Sequence, residues 1–284
     1  VKESVLSFDC EGERLVGILA EPAASAPAEV GVVIVVGGPQ YRAGSHRQFT
    51  LLARHLAANR FAALRFDYRS MGDSPGETRD FLGVDADIAA AIDALLAARP
   101  AVKRVALWGL CDAASAALLY LDSTRDPRVA GVALLNPWVR SAETLAQTHV
   151  KHYYWRRLRE KAFWLKLLRG GVGLTALRGL GSNLRLARGA GQAKSDSRSF
   201  QDRMAAGLRG FGGSLLLILS GDDYTAREFE AHCGRAAAWA PLREAAAACT
   251  RRLAQADHTF SDAAQAREVE ALTLNWLDEV RRSS

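Results

Sequence analysis

The chain is poor in cysteine, proline and methionine: four Cys, eight Pro and two Met among 284 residues. Cys10, Cys111, Cys233 and Cys249 have neither paired spacing nor histidines at zinc-finger intervals, which excludes a disulfide-framed mini-protein and gives no metal site. Long apolar runs are missing too. Runs such as residues 32–36 and 215–219 fall far short of the ~20 residues that span a bilayer. Residues 1–10 mix Lys2, Glu3 and Asp9 with apolar side chains and lack the continuous stretch of a signal peptide. The expectation is a cytoplasmic protein with reduced thiols. Hydrophobic residues make up 49% of the chain and charged residues 24%, which excludes a disordered or collagen-like chain and leaves one large α/β domain or two small ones.

Strand and helix patterns alternate. Residues 1–8 and 14–20 read as an opening hairpin. Residues 30–36 form a continuous β-branched run ended by Gly37, Gly38 and Pro39, the pattern of a strand buried on both faces. Helical periodicity follows at 46–58, with further strands at 61–66, 104–108, 129–135 and 214–220 and one near 249–254. Further helices are predicted at 84–98, 112–121, 226–239 and 262–282. This rhythm implies a mostly parallel, doubly wound sheet. It breaks between about 138 and 210, where aromatic, basic and Gly-rich stretches carry no clear strand.

Gly109-Leu110-Cys111-Asp112-Ala113, between a predicted strand and a predicted helix, has the form Gly-x-nucleophile-x-small of a nucleophile elbow. Small neighbours let strand and helix approach, and the helix amino end beneath Cys111 favours a thiolate. The competing reading is a buried cysteine after a strand. The expected partners follow in the order acid, then histidine. Gly221-Asp222-Asp223 follows a late strand, and Asp257-His258 follows the last one. Of the six histidines, His258 alone lies in a loop at that end of the sheet and after the acid. His55 and His232 fall in helices, and His149 and His152 in the irregular middle block. Asp223 is the preferred acid, with Asp222 as its alternative. Asp257 is expected to shape the loop. An acyl-transfer site also needs oxyanion donors, for which Asp112 N–H and Gly38 N–H are the candidates, since Pro39 has no N–H. Ser70, Ser74 and Ser115 lack an elbow context.

Taken in order, Gly37-Gly38-Pro39, residues 67–74 (Asp-Tyr-Arg-Ser-Met-Gly-Asp-Ser), the Cys111 elbow, Gly221-Asp222-Asp223 and Asp257-His258-Thr259-Phe260 make the chain resemble an α/β-hydrolase fold protein. Residues 35–49 and 107–115 are similar to the exosortase A system-associated hydrolases, type 1. The resemblance implies a hydrolase with cysteine at the elbow, set among bacterial exopolysaccharide and exosortase functions that include an acyl carrier protein and an acyl-activating ligase. It supplies no substrate. Against the wider superfamily, Val36 replaces a common His, Ala113 a Gly and Cys111 a Ser. The expected architecture is an α/β-hydrolase core in two parts, 1–137 and 211–284, with a helical basic cap or lid insertion at 138–210.

The expected chemistry is hydrolysis of an ester or thioester through an S-acyl enzyme by Cys111, His258 and Asp223, without a cofactor. The alternatives are acyl transfer to a hydroxyl and a non-catalytic binding protein. The formal charge of +6 is local: residues 139–200 hold 13 basic and 3 acidic residues, giving +10 there and −4 elsewhere. Trp155, Leu158, Ala162, Leu165 and Leu168 recur at helical spacing, with Arg156, Arg157, Arg159 and Lys161 interleaved. A cap helix with a solvated basic face, docking to an acidic acyl carrier protein, and contact with an anionic inner-membrane surface all fit this pattern. Nucleic acid is not expected, because no binding motif accompanies the charge.

Overall fold

A computed structural model describes residues 1–23, 27–38, 40–140 and 198–283. Val1–Val139 and Ser199–Ser284 group into one compact unit. Within it, eight strands form a single sheet: β1 (Lys2–Cys10), β2 (Glu13–Glu21), β3 (Val30–Val35), β4 (Ala63–Asp67), β5 (Arg104–Leu110), β6 (Val129–Leu135), β7 (Ser214–Ser220) and β8 (Thr250–Leu253). Their order is β1-β2-β4-β3-β5-β6-β7-β8. The β1–β2 and β2–β4 pairs are antiparallel, and all others are parallel.

The helices are α1 (Gln48–Ala58), α2 (Asp85–Ala98), α3 (Asp112–Thr124), α4 (Phe200–Arg209), α5 (Tyr224–Arg235), α6 (Ala240–Cys249) and α7 (Ala263–Arg282). The continuous apolar reading of β3 is explained by its surroundings. All six of its residues are buried, and the strand feeds two cores at once. Val33 and Val35 face the core shared with α2 to α6, while Val30, Val32 and Ile34 face the core shared with α1 and α7. Covering both faces removes the polar alternation that a half-exposed strand would show.

Three departures from the sequence reading have local causes. Helix α1 starts at Gln48 rather than 46, because His46 (φ 52°) and Arg47 (φ 61°) are left-handed. The helix expected over 226–239 stops at Arg235, where Ala236 turns extended. Pro241 then helps to open α6, which the sequence reading missed. The irregular stretch expected at 138–210 ends in a helix, α4, capped by the Ser199 hydroxyl, which accepts from the Asp202 N–H at 3.1 Å. The basic amphipathic segment around 155–168, His149, His152 and the glycines at 170–191 lie outside the described residues. No helix among the described residues is long and apolar enough to cross a membrane.

The chain runs from β3 outward to β4, then returns to place β5 on the other side of β3. A sheet of this kind opens a crevice at the carboxyl ends of the two strands where the order reverses. Here those ends are Val35 and Gly109, which pair directly. Helix α3, whose amino end lies at that crevice, is held from outside by α4. A Cβ placed on Gly207 of α4 would lie 2.2 Å from the Leu118 carbonyl oxygen of α3. Gly207→Ala should therefore lower stability in urea unfolding by about 1–3 kcal/mol through overpacking, despite alanine's better helix propensity. Gly212→Ala, whose Cβ meets nothing within 4 Å, serves as the neutral control.

Candidate active site

The site begins with close packing. A Cβ on Gly109 would meet the backbone of Ala113 and Ala114 at 2.6–2.7 Å, so only glycine lets α3 start this close to β5. The chain then turns through Cys111, whose φ of 63° and ψ of −125° are strained for a residue with a side chain. Such a conformation costs roughly 1–3 kcal/mol and persists only where its surroundings enforce it. Here the Cys111 N–H donates to the Leu135 carbonyl at 2.8 Å, and the Cys111 carbonyl accepts from Trp138 and Ala114. Cys111 is the N-cap residue of α3, the end of a helix that favours an anion. Its thiol is half-buried.

Asp223 and His258 reach the same place. Asp223 caps α5, accepting from the Thr225 N–H at 3.2 Å and the Ala226 N–H at 3.0 Å. Its Oδ2 lies 2.9 Å from His258 Nδ1. With Nδ1 so engaged, the other ring nitrogen is left for Cys111, to which His258 is also hydrogen-bonded. Burial alone would raise the Asp223 carboxyl, but the His258 bond and the two capping N–H groups outweigh it and hold the carboxyl below its ordinary value. The alternative acid, Asp222, points away: its side chain is 83% exposed and sits 3.7 Å from Arg227. Asp257 shapes the loop, its Oδ1 accepting from the Thr259 and Ser261 N–H groups at 3.1 and 2.9 Å.

The two oxyanion candidates lie on the turn after β3 and at the start of α3. Asp112 is the first residue of α3, so its N–H has no acceptor within the helix. Gly38 has φ 62°, a conformation open to glycine. Its N–H faces the Asp112 carboxyl, which burial pushes above its ordinary value. The other candidate nucleophiles have structural tasks. Ser74 Oγ donates to the Asp67 carbonyl and Ser115 Oγ to the Trp138 carbonyl, both at 2.7 Å. Burial pushes the Cys10 and Cys233 thiols up to about 11 and 12. His55 lies 3.9 Å from Glu270, and His232 packs edge-on against Trp239.

Two positioning residues escaped the sequence reading. Asn136, left-handed at φ 44° and buried, donates through Nδ2 to Ser220 Oγ at 2.8 Å and to the His258 carbonyl at 3.2 Å. It also accepts from the Ser220 N–H at 2.9 Å, so it ties β6 and β7 to the histidine loop. Asp67, fully buried, accepts from the Arg42 N–H at 2.6 Å, from the Arg42 guanidinium and from the Asp73 N–H at 3.1 Å. It anchors the loop that continues from Gly38. The available signals were a polar residue directly after the apolar β6 for Asn136 and an acidic residue closing the buried β4 for Asp67. Among the described residues, no group of three or more His, Cys, Asp or Glu is placed to hold a metal ion.

The model of a family described as "Alpha/beta hydrolase family" matches residues 32–272. Among solved structures, the chain is similar to the Pyrococcus furiosus esterase Pf2001, with 15% identity, coverage of 98% of this chain and 92% of that one, and a TM-score of 0.63. It is similar to the esterase domain of a Rhodothermus marinus protein, with 20% identity, coverage of 99% of each chain and a TM-score of 0.60. A third similar structure is XC6422 from Xanthomonas campestris, a serine hydrolase without a lid, at 14% identity, coverage of 98% and 95%, and a TM-score of 0.57. At these identities the likeness is one of fold. A search of curated proteins finds no match.

His258 sits between a carboxylate and a sulfur. The Asp223 bond first, then the Cys111 bond, push its pKa from 6.5 up to about 10, against its partial burial. A raised pKa means that the charged pair contributes fully below pH 6.5 and is lost as pH rises through about 10. In an NMR titration, the His258 Cε1–H midpoint should lie well above 6.5 and move down in Asp223→Asn. Coincident midpoints in the two proteins would contradict this origin of the shift.

Proposed function

The chain belongs to the alpha/beta hydrolase family, and on that premise we propose that it is a cysteine-dependent acyl hydrolase acting on an ester or thioester. The observation that carries this reading is His258 held between Cys111 and Asp223 at the switch point of the sheet.

In the proposed reaction the Cys111 sulfur, as thiolate, attacks the acyl carbonyl. A C–S bond forms, and the carbonyl π electrons move to oxygen. The Gly38 and Asp112 N–H groups stabilise that oxygen. His258, protonated by the thiol and held in one tautomer by Asp223, passes its proton to the leaving alcohol or thiol as the C–O or C–S bond to it breaks. Water, deprotonated by His258, then attacks the S-acyl enzyme and releases the carboxylic acid and the thiolate–imidazolium pair. Cys111→Ala should lower ester and thioester turnover by at least about 10³-fold, and mass spectrometry of the parent protein should find a trapped acyl group on Cys111. Full turnover by Cys111→Ala on every acyl substrate would reject the mechanism, and Cys111→Ser tests whether sulfur itself is required. Adding alcohol acceptors separates hydrolysis from acyl transfer by its products. Absence of any turnover or trapped acyl group would favour a binding protein.

The motif likeness to exosortase A system-associated hydrolases, type 1, supports a setting in bacterial exopolysaccharide assembly, on the cytoplasmic side, with a carrier-bound acyl thioester as a substrate class. The +10 charge of residues 139–200 supports docking to an acidic carrier protein or to anionic lipid at the inner membrane. Reversing Arg156, Arg157 and Arg159 to Glu should weaken binding to carrier protein or anionic vesicles while sparing hydrolysis of a small soluble ester. Equal loss of both would count against a docking role.

A further inference from the structure

Asp112 offers a carboxyl group as well as a backbone N–H. Its side chain occupies an unusual position. It follows the nucleophile directly, heads α3, and is wedged against the turn that carries the other oxyanion donor. A Cβ on Gly37 would lie 2.2 Å from Asp112 Oδ1, so the absence of a side chain at Gly37 is what makes room for the carboxyl. Asp112 Oδ1 is buried and has no hydrogen-bond partner, while the Gly38 N–H faces the same carboxyl.

The Gly38, Ala113 and Asp112 N–H groups face the carboxyl and favour its ionised form, but burial outweighs them, and Oδ1, left without a hydrogen bond, bears the desolvation cost of a buried charged oxygen. An ionised carboxylate would also repel the negative charge that develops on a substrate carbonyl oxygen between Gly38 and Asp112. A neutral carboxylic acid has neither defect, and it brings an O–H that needs an acceptor. We propose that the Asp112 carboxyl group is itself a member of the oxyanion site, donating an O–H hydrogen bond to the carbonyl oxygen of the acyl substrate.

The step is a hydrogen bond rather than a proton transfer. As the sulfur–carbon bond forms, the carbonyl electron pair moves to oxygen and is stabilised by the Asp112 O–H together with the two N–H groups. As the tetrahedral intermediate collapses, the pair returns to rebuild C=O, and the Asp112 proton stays where it began. A carboxyl held neutral in an apolar site is known to serve an oxyanion in this way in ketosteroid isomerase. The burial that pushes the Asp112 carboxyl upward acts in the same direction. The groups facing it are the Gly38, Ala113 and Asp112 N–H groups and the His258 imidazole, which as a cation favours ionisation, together with the buried Tyr68 phenol after β4, which is itself raised by burial first and then by the Asp112 charge.

This inference rests on the reading of Cys111 as the nucleophile, and the test keeps the two apart. The pH dependence of kcat and kcat/KM on a soluble ester is measured for the parent protein, Asp112→Asn, Asp112→Ala and Cys111→Ala. Asp112→Ala should lose about 10²–10³-fold in kcat with little change in KM, the expected effect of removing one oxyanion donor. Asp112→Asn, which keeps a donor of the same shape, should stay within about tenfold of the parent. It should also lose the alkaline limb due to Asp112 ionisation while retaining the one due to the His258–Cys111 pair. A parent-like profile in both Asp112 variants, with Cys111→Ala inactive, overturns this inference alone. Full activity in Cys111→Ala overturns the nucleophile assignment instead. If Asp112→Ala does not fold, the isosteric Asp112→Asn profile decides: loss of the limb supports the inference, and its persistence rejects it.

Discussion

The structure depends on one close approach, that of the amino end of α3 to the end of β5. Gly109 makes it possible, since any side chain there would overlap the backbone of Ala113 and Ala114. The approach forces the connecting residue, Cys111, into a left-handed conformation and raises its sulfur at the crevice between β3 and β5. It also brings the Asp112 N–H, the first of α3, to the same end of the sheet. The candidate nucleophile, the helix-end field and one candidate oxyanion donor thus follow from a single packing constraint, and the strain at Cys111 is sustained by hydrogen bonds to β6 and to the segment after it.

The remaining parts of the site are delivered by loops, and buried polar residues set where those loops go. Asp67 fastens the continuation of the Gly38 turn through Arg42. Asn136 and Ser220 hold the histidine loop by its carbonyl groups, Asn136 at His258 and Ser220 at Asp257. Asp223 both caps α5 and meets the imidazole, so its orientation is fixed by the helix it starts. Each of these groups is buried and hydrogen-bonded, the condition under which polar side chains specify geometry rather than weaken a core.

The distribution of charge adds a second theme. The three site residues occupy a body that carries a net negative charge, while the basic residues concentrate in 139–200. Within the body the ionic contacts near the site are local and paired, as in Arg69 with Asp87 and Arg42 with Asp67. Such pairs hold loops in register and do not act as long-range fields.

The sequence by itself determined the sheet and the order of its parts. Strands covered on both faces must be continuously apolar, so β3, β5, β6 and β7 were legible. The small residues around Cys111 marked the elbow because only glycine permits that approach. Chain order pointed to His258, and a turn pattern preferred Asp223 over Asp222. What the tertiary structure decided is everything that depends on distant residues meeting. It turned Asp223 toward the imidazole and Asp222 to solvent, the geometry that the turn pattern alone only favoured. It brought Asn136 to His258 across 122 positions of the chain. It broke the helix at Ala236, where local helical preference alone gave no stop. It also wedged the Asp112 carboxyl against Gly37, a placement that its reading as an ordinary first-turn residue did not foretell. Hydrophobic periodicity is a local property of the chain, whereas the pairing of buried polar groups exists only once the fold has brought them together.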